Sequence, residues 1–460
     1  MVQRGRLQGV GMRATFRPTN RAFQVRYLLV WWLFILSAVA YLDRTNLSIA
    51  GMQIAKDFAI DNQHLGWIIS AFLIGYAAFQ VPAGLLTHRF GSRLVLTFAV
   101  LWWGVFSVLT ALVPPAMSSS LLILMSVRFS LGAGEATMYP ASSQFVERWF
   151  PREERGKANG IIFGGVGVGS GITPPLVTAI IVHYGWRASF WASALIGAAV
   201  GMVWYLLARD APEKHPLVRA LELSRILDGR NTAKDREKSA QPKHPVPWAK
   251  LCLNRDMLAV TASDFAFGYV AWVFFGWFYI YLAEARGLNL KSSALYSMLP
   301  FVGMTTGCLL GGVLSDWLAR RFNPRFGRCI LPAICMIGTG TLLTMGARTA
   351  QASAAALILS CGVGLLYIAQ SCFWVFTADF AGEFAGVASG MMNMGGQIGG
   401  ACTASLTPLI ASHFGWEASF LFAALLSVCG GTAWLLVNPH RNLSHIASSA
   451  EYAGDRKGHT

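Results

Sequence analysis

Apolar stretches of about 20 residues recur along this 460-residue chain from near its start almost to its end, and each is long enough to cross a hydrocarbon core about 30 Å thick. Read with their polar breaks, they fall roughly at 27–50, 65–87, 94–113, 120–147, 158–182, 188–208, 256–283, 294–319, 329–347, 353–379, 384–411 and 418–437. Charged residues make up only 13% of the chain, about half the share of an average soluble protein, and the mean hydropathy is +0.48. Those values exclude a soluble globular enzyme, a disordered chain and a disulfide scaffold. The expected fold class is an all-α polytopic membrane protein of twelve transmembrane helices.

The formal net charge of +15 does not mark a nucleic-acid surface, because the basic residues sit in the hinges between apolar runs. Lys and Arg accumulate on cytoplasmic loops, and the two sets of loops differ. One set holds Arg89, Arg93, Arg148, Arg152, Arg155, Lys157, Arg320, Arg321, Arg325 and Arg328; the other holds Lys56, Arg187, Arg286, Lys291 and Arg348. The bias puts both termini in the cytoplasm. Residues 1–26 carry six arginines and no acid, a pattern shared by secretory signals and by basic leads to a first helix. The helix is expected, since cleavage would leave an odd number of spans. The eight cysteines, from Cys252 to Cys429, show no metal-site spacing, so no metal, disulfide or cofactor is expected.

The two halves repeat. His183-Tyr-Gly-Trp-Arg-Ala-Ser-Phe190 returns as His413-Phe-Gly-Trp-Glu-Ala-Ser-Phe420, a shift of 230 residues, and the same shift carries Gly165 and Gly169 onto Gly395 and Gly399. Gly84-Leu-Leu-Thr-His-Arg-Phe-Gly-Ser-Arg93 matches Gly312-Val-Leu-Ser-Asp-Trp-Leu-Ala-Arg-Arg321 at a shift of 228. The expected organisation is a basic lead (1–26), a six-helix bundle (27–208), a polar, proline-dotted linker (209–255), a second six-helix bundle (256–437) and a tail (438–460). An even number of spans per half makes the two copies parallel, the build of carriers that rock two bundles about a central site.

The two loop copies and the six-plus-six plan resemble the major facilitator superfamily. Two further strings, Tyr41-Leu-Asp-Arg-Thr-Asn-Leu-Ser48 and Gly132-Ala-Gly-Glu-Ala-x-x-Tyr-Pro140, are similar to the anion:cation symporter family, with its bacterial galactonate, glucarate, hexuronate and phthalate-type carriers. That resemblance implies secondary active transport rather than enzymatic chemistry: proton-coupled uptake of a carboxylated organic anion, with a sugar acid as the leading class. It implies a gating motif at Gly84, His88, Arg89, Gly91, Arg93, Gly312, Asp316 and Arg320. His88 departs from the family's acid, which Asp316 keeps in the second copy; an imidazole there would make the first latch pH-dependent. An aromatic carboxylate as substrate and an efflux antiporter are the alternatives; the span-5 glycine–proline pattern typical of antiporters is absent.

Charged residues at membrane depth are costly and usually functional. Asp43 and Arg44 fall late in span 1, and Arg128 and Glu135 lie two helical turns apart in span 4. Span 10 carries no charge between 353 and 378, so the asymmetry is between two otherwise similar halves. A guanidinium fork suits a carboxylate, which makes Arg44 and Arg128 candidates for the anion, while Asp43 and Glu135 are candidates for proton coupling. The expected coupling step is protonation of Glu135 releasing Arg128. Two acids allow two protons, and uptake of a monoanion with two protons would respond to membrane potential. Tyr76, Tyr269, Trp374, Asn393 and Gln397 are the expected further lining of the site. The glycine-rich run Gly164–Gly171 lacks the ending of a phosphate loop and reads as close helix packing. The expected partners are protons, a small organic anion and the bilayer, and the expected setting is a monomer in a bacterial inner membrane.

Overall fold

A computed structural model describes residues 24–115, 117–228, 248–381 and 385–439, and among them every regular element is helical. The first bundle is built from α1 (Val25–Phe58), α2 (Asn62–Phe90), α3 (Ser92–Leu112), α4 (Ser120–Glu135), α5 (Met138–Trp149), α6 (Arg152–Tyr184) and α7 (Trp186–Leu207). Two short helices follow, α8 (Ala220–Asp228) and α9 (Trp248–Cys252). The second bundle holds α10 (Arg255–Trp272), α11 (Phe278–Glu284), α12 (Leu290–Tyr296), α13 (Leu299–Arg321), α14 (Leu331–Arg348), α15 (Ala352–Ala381) and α16 (Ala385–Ala433). Ten segments among the described residues are long and apolar enough to cross a membrane, and the 29-residue α2 is a further long helix beside them. The residues before 24 and after 439, and those at 229–247, fall outside the described part, as does the His88 side chain.

Local chemistry sets the breaks. Pro140 has no N–H to give and its ring collides with the carbonyl four residues back, so the fourth crossing splits between Glu135 and Met138. The repeated His-x-Gly-Trp loops turn on Gly185 (φ 79°, ψ 166°) and Gly415 (φ 84°, ψ 163°), two near-identical left-handed turns 230 residues apart. Gly415 parts the expected spans 384–411 and 418–437 inside what is otherwise one continuous helix. Between α10 and α11 the helix widens into a π turn at Val273–Trp277, so spans 1 and 7 differ in local geometry as well as in charge.

The glycine-rich run packs two ways at once. A Cβ at Gly165 would stand 2.3 Å from the Phe34 carbonyl and one at Gly169 2.2 Å from that of Ala38, so this face of α6 lies against α1. Gly167 and Gly171, on the other face, meet Thr305 and Phe301 of the second bundle. Gly395 and Gly399 repeat the first arrangement against the Thr261 and Phe265 carbonyls of α10.

Contacts between bundles concentrate in the half of the molecule away from the chain ends, called here the far half. The Gln63 amide donates to the Ser405 carbonyl (3.1 Å), Ser70 Oγ donates to that of Ala401 (2.8 Å), and Gly66 lies against Ala404. In the half nearer the ends, Phe163 and Trp374 approach with ring centroids 6.4 Å apart. Part of the expected linker is docked rather than free. Glu222 of α8 accepts from the Val25 and Arg26 N–H groups that open α1, and Arg225 pairs with Glu154 at 2.6 Å. A carboxylate on those N-terminal donors satisfies both hydrogen bonding and the helix dipole.

Candidate functional site

Between the bundles, a small cavity lies at the level of Arg44. The first bundle lines it with Arg44, Leu47, Ser48, Ile69, Phe72 and Arg128; the second contributes Trp272, Phe275 and Gly276. The Ser48 hydroxyl donates across the gap to the Gly276 carbonyl at 2.6 Å, a hydrogen bond between two residues that line the cavity.

Four ionisable side chains meet beside this cavity. Arg44 Nε donates to Glu135 Oε2 at 2.5 Å, Arg128 Nη1 lies 3.9 Å from Asp43 Oδ2, and Ser107 Oγ donates to Asp43 Oδ1 at 2.7 Å. All four are buried, with Glu135 wholly so. The pairing crosses. Asp43 and Arg44 are neighbours on α1 and point in different directions, so each meets one of two α4 groups that stand roughly 10 Å apart along the axis. Glu135 therefore neutralises Arg44, and Arg128 faces Asp43. Here Glu135 and Arg128, seven apart on one helix, each have a nearer partner on α1 than one another.

Aromatic faces complete the setting. The Arg44 guanidinium lies over the rings of Tyr41 (4.5 Å), Tyr76 (4.6 Å) and Phe72 (5.4 Å), and Arg128 lies over the same Phe72 ring at 5.3 Å. Such stacking holds a desolvated cation without using its N–H groups. Arg44 Nη2 and Arg128 Nε are buried without a hydrogen-bond acceptor, Arg128 Nη1 has only its 3.9 Å approach to Asp43, and Asp43 Oδ2 and Glu135 Oε1 are buried without a donor. Buried donors of this kind cost free energy unless an acceptor arrives. Two guanidinium groups with donors to spare, lining one cavity, suit an anion.

The other expected site residues are dispersed. Tyr76 joins Arg44. Tyr269 is buried inside the second bundle, its ring 5.5 Å from Phe422 and its carbonyl accepting from Thr403. Trp374 is 39% exposed and points toward Phe163. Asn393 and Gln397 are half-buried on α16, and the Gln397 side-chain oxygen is buried with no hydrogen-bond donor. None of these four lines the small cavity.

Within the loop motif, Gly91 turns with φ 83°, and Asp210 accepts from the Arg93 N–H (2.9 Å), while Arg93 Nε donates to the Tyr205 carbonyl (2.9 Å). Arg89 is exposed and lies over Phe90, and Gly84 and Gly312 face open space. In the second copy Asp316 pairs with Arg328 at 2.9 Å and its carbonyl accepts from Arg320. The His88 expectation falls on a side chain outside the described residues.

Sequence reasoning missed Ser48, Phe72, Trp272, Phe275 and Gly276, although a signal was available. The shift of 228 residues carries Arg44, Leu47 and Ser48 onto Trp272, Phe275 and Gly276, so the cavity is walled by symmetry mates. The first copy presents a cation and a hydroxyl; the second presents aromatic faces and bare backbone.

Comparison with known proteins agrees with this architecture. The family model described as Major Facilitator Superfamily matches residues 33–404. The chain is 34% identical over 442 residues to a probable sulfoacetate transporter of Cupriavidus necator, covering 95% of this chain and 98% of that protein. It is 30% identical to a probable galactarate/D-glucarate transporter of Escherichia coli, over 82% of this chain and 85% of the relative. Among solved structures, an inward-facing, unoccupied bacterial homologue of the human lysosomal transporter Spinster superposes with a TM-score of 0.71 at 16% identity, covering 90% of this chain and 96% of that one. The inward-open xylose transporter of Escherichia coli gives 0.69 at 13% identity, covering 89% and 96%.

Proposed function

The chain belongs to the Major Facilitator Superfamily, and on that premise we propose that it is a monomeric, proton-coupled importer of a small organic anion with two acidic ends, both termini lying at the cytoplasmic face of a bacterial inner membrane. The observation that carries this reading is the cavity holding Arg44 and Arg128 with unused N–H donors, each guanidinium beside a carboxylate of its own bundle. Two guanidinium forks facing one space suit two acidic groups, and the bundles would part there to admit them. Sulfoacetate and galactarate or glucarate, the compounds named for the relatives, are each dianions at neutral pH. A sugar diacid and a short sulfonated acid are both in this class.

Coupling follows from competition. A substrate acid that takes the Arg44 donors competes with Glu135, and a protonated Glu135 gives up Arg44 at little cost. Asp43 stands in the same relation to Arg128. One proton on each of these two acids offsets the two charges of a dianion. The test is reconstitution in liposomes: Glu135→Gln is expected to keep exchange of labelled substrate while losing accumulation driven by a pH gradient. Uphill uptake by Glu135→Gln at the wild-type level would overturn the coupling role.

A further inference from the structure

A fifth membrane-depth ionisable group lies outside this quartet. Asp264 of α10 is buried in the second bundle, 7% exposed, and its Oδ2 accepts from the Gly396 N–H of α16 at 3.1 Å. A Cβ at Gly396 would stand 2.5 Å from that oxygen, so α16 carries a glycine where the carboxyl seats. The facing elements bring no charge to it among the described residues. α15 presents Tyr367, whose ring packs on Phe267 at 5.2 Å; α16 presents the Gly396 backbone between the uncharged Asn393 and Gln397; on α10 itself Asp256 lies two turns away and accepts from the Asn438 N–H. No ion pair involving Asp264 occurs among the described residues. A desolvated carboxylate with one hydrogen bond and no cation is strongly disfavoured, while the same group carrying a proton is not. The first-bundle acids differ, because each already faces an arginine.

We propose that Asp264 is a third proton-carrying site, taking up one proton on the oxygen not held by Gly396 and releasing it to water on the other side in each transport cycle. The proposal rests on the proton-coupled reading above. The step is a proton transfer only: water-borne H⁺ adds to the Asp264 carboxylate and later leaves it. Its consequence is countable. Two protons balance a dianion, so a third leaves one net positive charge moving inward per cycle. One charge corresponds to roughly 50-fold accumulation per 100 mV of inside-negative potential.

The experiment uses the full chain in liposomes with sulfoacetate as the probe and D-glucarate beside it, under a fixed pH gradient, with and without an imposed potassium diffusion potential. Wild type is expected to accumulate a probe further when the inside is negative. Asp264→Asn is expected to keep label exchange and pH-driven uptake but to lose the response to potential, and Asp264→Glu to restore it. Exchange by Asp264→Asn also reports that the variant folds; should it fail to exchange, the potential response of Asp264→Glu against wild type decides alone, with loss in that variant counting against the proposal. A potential response that survives in Asp264→Asn, or that wild type lacks, overturns the third site. Wild type that accumulates neither probe under a pH gradient overturns the import reading itself, a separable result.

Discussion

Spans 1 and 7 occupy equivalent places in the two bundles and meet across one cavity, yet they are chemically opposite. Span 1 brings Arg44 and Ser48 with a regular helix; span 7 brings Trp272 and Gly276 across a π turn. The glycine packing, by contrast, is nearly the same in both bundles: Gly169 sits against the Ala38 carbonyl and Gly399 against that of Phe265. Duplication has thus kept the scaffold and divided the chemistry. In the reading proposed above, the first bundle's arginines hold the anion and the second bundle's aromatic faces wall the cavity.

The two spans differ most at the cation. Arg44→Ala removes a donor to the anion and strands Glu135 as a buried, unpaired carboxylate; losing one member of such a pair costs about 2–5 kcal/mol, so uptake should fall at least roughly 30-fold, read as initial rate in vesicles. Substitution at the mate, Trp272→Leu, leaves no charge stranded and should cost far less. Equal losses in the two variants would contradict the division of labour.

The glycine packing shared by the two bundles predicts matched responses to matched substitutions. Gly169→Leu and Gly399→Leu each force a side chain into a carbonyl at 2.2 and 2.1 Å, and each should lower stability by at least about 2 kcal/mol, measured as a fall in the melting temperature of the purified protein. A large effect in only one bundle would show that the repeats pack differently.

Smaller effects come from the seam. Ser48→Ala deletes the hydroxyl that bonds the Gly276 carbonyl, worth about 1 kcal/mol, and should move the conformational equilibrium several-fold away from the state closed in its far half, as read by distance measurements between labels on the two bundles. The smallest concerns Asp61, which caps α2: the His64 N–H bonds its carboxyl and holds it below the usual carboxylate range. A depressed carboxylate contributes stability above its ordinary pKa of about 4 and loses it as pH falls through the lowered value. Asp61→Ala should therefore cost at most about 1 kcal/mol at pH 7, with the gap between variant and wild-type melting temperatures shrinking in acid.

Much of this was legible because it rests on periodicity and on the cost of burying charge. Runs of 20 apolar residues, the 230-residue shift and four charges at membrane depth are properties of the chain itself. The crossed pairing was not legible, because it depends on how α1 and α4 lie side by side, and spacing along one helix cannot report a nearer partner on another. Asp210 on Arg93 and Glu222 on the start of α1 escaped for the same reason: both are carboxylates beyond the apolar runs whose partners are distant backbone N–H groups. Residue type within a span is all that points to Trp374, Tyr269, Asn393 and Gln397. Type alone does not say which face of a helix meets the cavity.

Whether the first bundle's arginines hold the anion is read out by calorimetric titration of the purified protein with sulfoacetate and D-glucarate. Wild type should bind at least one of them; Arg44→Gln should abolish the heat signal while Trp272→Gln retains it. Undiminished binding by Arg44→Gln, in a variant that melts like wild type, would contradict the account.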